Sequence, residues 1–248
     1  MSNNPFIRIC NLHQRFGNQE VLRGVNLDIF RGETMVLLGK SGGGKSVLMK
    51  HLPLLLRPTQ GEIFMDGIDI TKLRERELAH VRHKVGMMFQ NGALFDSLTL
   101  FENIAFPLRE DRSLNEKTIR ERVSEALANV SLADHGKKFP SEISGGMRKR
   151  VALARAVVDL PDCIIYDEPH AGLDPITGAD IDELMKNLQR EKGITNLVIT
   201  HEIRSAFRIA DRIVFMHEGK IYWQGTTAAL QATTDPLMRN FIEGNPSE

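Results

Sequence analysis

The chain has 248 residues, 42% hydrophobic and 26% charged, which is enough for one large or two modest domains with a buried core and excludes disorder. Its 32 basic and 32 acidic side chains cancel, so no global field draws it to nucleic acid or anionic lipid, and binding must come from local sites. Cys10 and Cys163 cannot form the disulfide framework of a secreted protein, no apolar run approaches the roughly 18 residues of a membrane span, and Met1–Pro5 lacks the basic start of a signal peptide. A chain retained in the cytoplasm is expected. In chain order, Ile7–Leu12 and Val21–Ile29 read as strands, Thr34–Leu38 as a strand buried on both faces, and 61–68 as a hairpin on the Asp66-Gly67 turn. Ser113-Leu114-Asn115-Glu116 reads as a capping box ahead of a helix with Ile119, Val123, Ala126, Leu127 and Val130 on one face. From Cys163 strands and helices alternate: Cys163–Tyr166, a helix opened by Asp174-Pro175 and ending near Gly193, Asn196–Thr200, a short helix over 202–210, then a hairpin across Glu218-Gly219. Parallel strands with crossover helices are the economical architecture.

Gly39-Lys40-Ser41-Gly42-Gly43-Gly44-Lys45-Ser46 fits the phosphate-loop pattern G-x-x-x-x-G-K-[ST], between a predicted strand and a predicted helix. Glycines let successive N–H groups turn toward phosphate oxygens, and the helix N-terminus adds its positive dipole end. Lys45 is expected to reach the terminal phosphates of ATP and the Ser46 hydroxyl to coordinate Mg2+; Val47 falls in the same nucleotide-binding turn. A glycine-rich turn that binds nothing would explain neither the Lys-Ser pair nor the strand before it. A second strand, Cys163–Tyr166, ends in two acids: Asp167, suited to the magnesium shell, and Glu168, suited to the attacking water. Ser144-Gly145-Gly146-Met147 opens another helix, a second anion-binding end, which suggests that it meets nucleotide held by another copy of the chain.

With these motifs in hand, the chain resembles the ATP-binding subunits of ABC transporters over about residues 6–225. The resemblance implies a P-loop α/β fold: a RecA-like parallel-sheet core and an antiparallel β subdomain over about 1–90 and 160–248, with an inserted helical subdomain over about 91–159. It implies a homodimer in which each ATP lies between one copy's phosphate loop and the other's Ser144–Met147 signature. Carried over by motif, Phe16 corresponds to the adenine-stacking aromatic, Gln90 to the Q-loop glutamine that touches magnesium and water, Asp174 to the D-loop aspartate and His201 to the switch histidine. Glu168, His201, Gln90 and Lys45 form the implied catalytic set; Ser46, Gln90 and Asp167 form the implied metal set. Two departures stand out: Lys40 where proline is frequent, and Met147 in place of the signature glutamine.

The 89–108 segment, the Met147 signature and the run 168–176 are similar to the Mla/Mce-type lipid-transport ATPases. That similarity implies an ATPase on the cytoplasmic face of the inner membrane, driving phospholipid movement through separate integral-membrane permease subunits, with MCE-type and STAS-domain accessory proteins. The ATPase of another ABC importer or exporter is the alternative. A soluble ABC protein would need an insertion for which the 99 positions between Lys45 and Ser144 leave no room. Met147–Arg150 has no interleaved aromatics and reads as a solvated helix start, so no nucleic-acid partner is expected. His80-x-x-His83 lacks further metal ligands, and His201-Glu202 does not continue into a zinc-protease pattern.

Overall fold

The computed structural model describes residues 4–110 and 114–244. Ile7–Phe16 (β1) and Gln19–Ile29 (β2) pair antiparallel, and β1 pairs on its other side with Gln60–Met65 (β4), which turns back into Ile68–Asp69 (β5). The Asp66-Gly67 turn has φ of 51° and 77°, both positive as a tight two-residue hairpin requires. These four strands make one sheet in the order β2-β1-β4-β5.

Thr34–Leu38 (β3) belongs to the second sheet, of six strands, and every one of its residues is buried. With Val85–Met88 (β6), Cys163–Asp167 (β7), Thr195–Ile199 (β8), Arg212–His217 (β9) and Lys220–Gly225 (β10), the order is β10-β9-β3-β8-β7-β6. All pairs are parallel except the β9–β10 hairpin. The continuous apolar runs of β3, β7 and β8 follow from cover on both faces. Lys45–His51 (α1) and Glu75–His83 (α2) follow β3 and β5. One buried cluster, with Leu37, Leu48, Ile63 and Ile165, lies between the two sheets; another, with Val36, Tyr166, Met185 and Phe215, lies on the opposite face.

Between β6 and β7 the chain leaves the sheet as Leu100–Glu110 (α3), Glu116–Asn129 (α4) and Gly145–Val157 (α5), which share a core of their own built from Leu100, Ile104, Val123, Leu127 and Val151. The anticipated inward face of α4 is buried throughout. Its cap is a correction: Asn115, not Ser113, is the N-cap, its side chain accepting from Thr118 N at 2.9 Å, and Ser113 lies outside the described residues. Asn is as good a cap as Ser and stands next to the first helical residue. Pro175–Lys192 (α6) starts at Asp174 and stops at Gly193 in the left-handed conformation, and Ile203–Ile209 (α7) follows β8. Thr227–Gln231 (α8) and Pro236–Glu243 (α9), which the sequence reading left without elements, cover the end of the sheet, where Phe241 meets Phe215 edge-on at 4.8 Å.

Candidate nucleotide and hydrolysis site

In an open parallel sheet, ligands collect where the strands' carboxyl ends release the chain. The turns after β3, β6, β7 and β8 carry the phosphate loop, Gln90, Asp167-Glu168 and His201 respectively, so the topology brings together residues 162 positions apart in sequence, from Gly39 to His201. Gly39 must be glycine because the loop passes against β9: a Cβ there would lie 2.4 Å from the Met216 carbonyl oxygen. Lys45 is 8% exposed and folds back into the loop, donating to the Gly39 and Lys40 carbonyls at 2.7 and 2.9 Å. Burial depresses its ammonium below the ordinary lysine range, against the pull of Glu168 and Asp167. Ser41 and Gly42 are exposed, Gly43 is half-buried and Gly44 caps α1. Val47 turns its side chain toward the core beside Leu48, leaving its backbone to the loop.

Ser46 Oγ donates to Asp167 Oδ1 at 3.1 Å, joining the first turn of α1 to the end of β7. Burial raises the Asp167 carboxyl above its usual range, and Glu168 adds to that, while Ser46 and two lysines oppose it. A hydroxyl and a carboxylate in contact are hard oxygen donors, and magnesium typically takes only one or two protein oxygens with phosphate and water completing its octahedron. The residues therefore fit Mg2+ bound together with a nucleotide. Gln90 is exposed, and no hydrogen bond joins its amide to Ser46 or Asp167.

Glu168 stands just past β7 with φ of 49°, a region costly for a residue with a side chain and concentrated at functional sites. Its amide donates to Ile199 O at 2.9 Å, which ties it to β8, the strand that delivers His201. His201 Nδ1 lies 2.9 Å from Glu168 Oε2, yet the ring is not aligned for a hydrogen bond, and Oε2, shielded from solvent, has no hydrogen-bond partner. Glu168 thus keeps a shielded carboxylate oxygen with unused hydrogen-bonding capacity against an imidazole that is 64% exposed.

Lys149, on α5, was not singled out by sequence. Its ammonium, 6% exposed, donates to the Gln90 carbonyl and, at 3.4 Å, to the Glu168 carbonyl. Arg155, two turns on, donates to the Gly92 and Ala93 carbonyls at 2.6 and 2.7 Å. One helix thus clamps the turn after β6 through three carbonyl groups and touches the turn after β7 through a fourth, and the advance signal was a run of basic residues that reads as solvated.

Ser144 caps α5, accepting from Met147 N at 3.2 Å, and with Gly145, Gly146, Met147, Asp174 and Thr177 it lines an open pocket of about 400 Å³. A Cβ on Gly146 would come 2.6 Å from the Thr177 methyl, so the start of α5 and the start of α6 touch through that glycine. Asp174 accepts from the Ile176 and Thr177 amides at 3.0 Å each and from the Thr177 hydroxyl at 2.6 Å. Met147 both borders the pocket and packs on the helical core, bringing an apolar side chain and no amide. This pocket shares no residue with the phosphate loop of the same chain. Phe16, at the end of β1, is 48% exposed, available as a stacking face.

A third feature is a groove of about 710 Å³ lined by Phe89, Ala93, Phe95, Phe106, Pro107 and Arg155, with the Phe95 and Phe106 rings 4.9 Å apart. Among the described residues no helix is long and apolar enough to cross a membrane.

The ABC transporter family model matches residues 22–171. A probable ribonucleotide transport ATP-binding protein, mkl, of Mycobacterium leprae is 42% identical over 96% of this chain and 69% of its own length. An intermembrane phospholipid transport system ATP-binding protein, MlaF, of Haemophilus influenzae is 39% identical over 98% of this chain and 92% of its own. The chain spans about two thirds of the length of the mycobacterial relatives it matches. Among solved structures, the dimeric post-hydrolysis state of the ATP-binding cassette MJ0796 with ADP and Pi superposes with a TM-score of 0.82, at 33% identity over 89% of this chain and 98% of that one. The chain belongs to the ABC transporter family, as an ATP-hydrolysing subunit.

Proposed function

We propose that this chain is the ATPase of a lipid transporter, moving phospholipid between the inner membrane and the outer envelope through separate permease subunits, and working as a homodimer at the cytoplasmic face. The observation that carries the hydrolytic half is the convergence of Ser46, Asp167, Glu168 and His201 at the carboxyl ends of adjacent strands. Lys45 and the N–H groups of residues 39–46 hold the phosphates, and Phe16 stacks on adenine. Ser46 and Asp167, with Gln90 drawn in on closure, hold Mg2+, which supplies neutralisation of the charge on the terminal phosphates when bound. The Glu168 carboxylate orients a water for in-line attack and takes its proton, while His201, 2.9 Å from its Oε2, stands beside the terminal phosphate. The work asked of the residues is positioning and charge placement rather than covalent chemistry. Ser144–Met147 and Asp174, remote from the phosphate loop of their own chain, serve the nucleotide of the second copy.

The lipid reading is supported by the similarity of 89–108 to lipid-transport ATPases and by near full-length likeness to the Haemophilus protein. That segment walls the Phe95–Phe106 groove, which receives a permease helix. MCE-type and STAS-domain partners belong to the same reading. A second reading, the ATPase of another importer, is favoured by the 42% identity to the ribonucleotide-designated protein. Two measurements test these assignments. Glu168→Gln is expected to bind ATP while turnover falls at least about a hundredfold, and normal turnover would remove Glu168 from its role. Purification from native membranes is expected to bring permease and phospholipid together, whereas copurification with a soluble-substrate receptor and no lipid would establish the second reading.

A further inference from the structure

Behind the site, helix α6 carries a carboxylate that the hydrolytic chemistry leaves unused. Asp182 is 1% exposed. Its Oδ1 accepts from His170 Nε2 at 2.7 Å and from Ser205 Oγ at 2.6 Å, and its Oδ2 accepts from Arg208 Nη1 at 2.9 Å. His170 and Ser205 are themselves 9% and 6% exposed, and the Ser205 oxygen lies 3.3 Å from His170 Nε2, while the buried His170 Nδ1 has no hydrogen-bond partner.

We propose that Asp182 is a positioning residue for ATP hydrolysis: by tying His170 to Ser205 and Arg208 it holds Glu168 and His201 in facing register. This rests on the reading of Glu168 and His201 given above. His170 follows Glu168 with only Pro169 between them. Proline fixes one torsion, and Glu168 at φ of 49° sits in a small allowed region, so a shift at His170 is carried to Glu168 instead of being absorbed. On the other side, Ser205 lies in the first turn of α7, and Glu202 N donates to Thr200 Oγ1 at 3.0 Å, bracing the turn that presents His201. Packing of α6 on α7 does not need an ion here. Ile181, Met185, Ala206 and Ile209 already share one apolar cluster, and well-packed hydrophobic side chains often hold buried positions as well as an ion pair does. What the carboxylate adds is fixed length and direction: hydrogen bonds of 2.6 to 2.9 Å set the spacing of the two catalytic turns more narrowly than apolar contact can.

The test compares single-turnover ATP hydrolysis by the intact chain and its variants. Asp182→Asn keeps the shape but turns an amide N–H toward the Arg208 guanidinium; the rate at saturating ATP is expected to fall about tenfold with the ATP half-saturation within about twofold of normal. In a His201→Ala background the same substitution is expected to cost clearly less, because one of the two groups whose register it sets is gone. Arg208→Met alters a side chain that is 41% exposed, and carries the same comparison should Asp182→Asn fail to fold. Normal rates in both variants, or an undiminished loss added to that of His201→Ala, would overturn the proposal. Full activity of His201→Ala by itself would overturn the underlying site as well, which separates that failure from failure of the strut alone.

Discussion

At the scale of single residues, the consequential side chains are those the fold has taken from water without neutralising their chemistry. His51, at the end of α1, is fully buried, with Nδ1 donating to the Val47 carbonyl at 2.7 Å and Nε2 lying 3.0 Å from the Gln14 side-chain oxygen, Oε1. Burial depresses its pKa below the ordinary value of 6.5. The folded chain therefore binds fewer protons at this ring than the unfolded chain does between those two values. Stability is full above about pH 6.5, falls as pH drops toward the lower folded pKa, and then levels. His51→Gln, which keeps a hydrogen-bonding side chain but cannot titrate, is expected to flatten the slope of melting temperature against pH just below about pH 6.5 relative to the parent chain. Equal slopes would show that folding does not displace the titration of this ring. Asp167 has the opposite displacement. Its raised pKa means that a bound divalent cation must displace a more firmly held proton, which makes Ser46 and Asp167 a pair whose metal affinity weakens on acidification.

At the scale of elements, the turns matter more than the helices and strands they join. The loop over 95–99, which shapes the Phe95–Phe106 groove, is held by Asn103, one turn into α3 and 0% exposed. Its amide donates to the carbonyls of Phe95, Leu98 and Thr99 at 3.0 to 3.1 Å, and its oxygen accepts from Phe95 N at 2.8 Å. Asn103→Leu would leave those backbone groups unpaired in a dry site, so a loss of about 2–4 kcal/mol in denaturant unfolding is expected, with permease coupling lost before ATP binding. A change below about 0.5 kcal/mol would mean that water replaces the amide. Asn103 also marks what could be read in advance. The phosphate loop, the buried strands and the capped helix at Asp174 were legible, because glycine spacing, continuous apolar runs and an Asp-Pro pair each impose one local geometry. Asn103, Lys149, His170 and Asp182 were not. Lys149, His170 and Asp182 act on partners well separated along the chain, as Lys149 does on Gln90 and Glu168, Asn103 acts on backbone carbonyls of the loop just before its helix, and a lone polar residue looks alike whether it faces water or a buried group. The short helices α8 and α9 were missed for a related reason: their apolar residues are fixed by packing on β9 and Phe215 rather than by a long period of their own.

At the scale of the whole molecule, the chain carries two half-sites that it cannot use on each other. The phosphate loop sits at the carboxyl end of β3, while the signature pocket lies between the starts of α5 and α6 and shares no residue with it. In the two-fold dimer proposed above, each triphosphate would take one half-site from each copy. The arrangement has a consequence for mixtures. A Lys45→Ala chain lacks the first half-site, and a chain with Ser144→Arg, which fills the pocket beside Gly146, lacks the second; neither homodimer has a complete site. A heterodimer of the two places the intact loop of one against the intact signature of the other, so one of its two sites is whole. If chains pair at random in the assembled transporter, half the dimers are mixed, and co-expression is expected to restore about a quarter of the parental ATPase rate, provided the two sites act independently. Complete silence in the mixture, with both chains shown to be present in one complex, would mean that sites fire only in pairs; near-parental activity of the Ser144→Arg chain alone would mean that the nucleotide is held within a single chain.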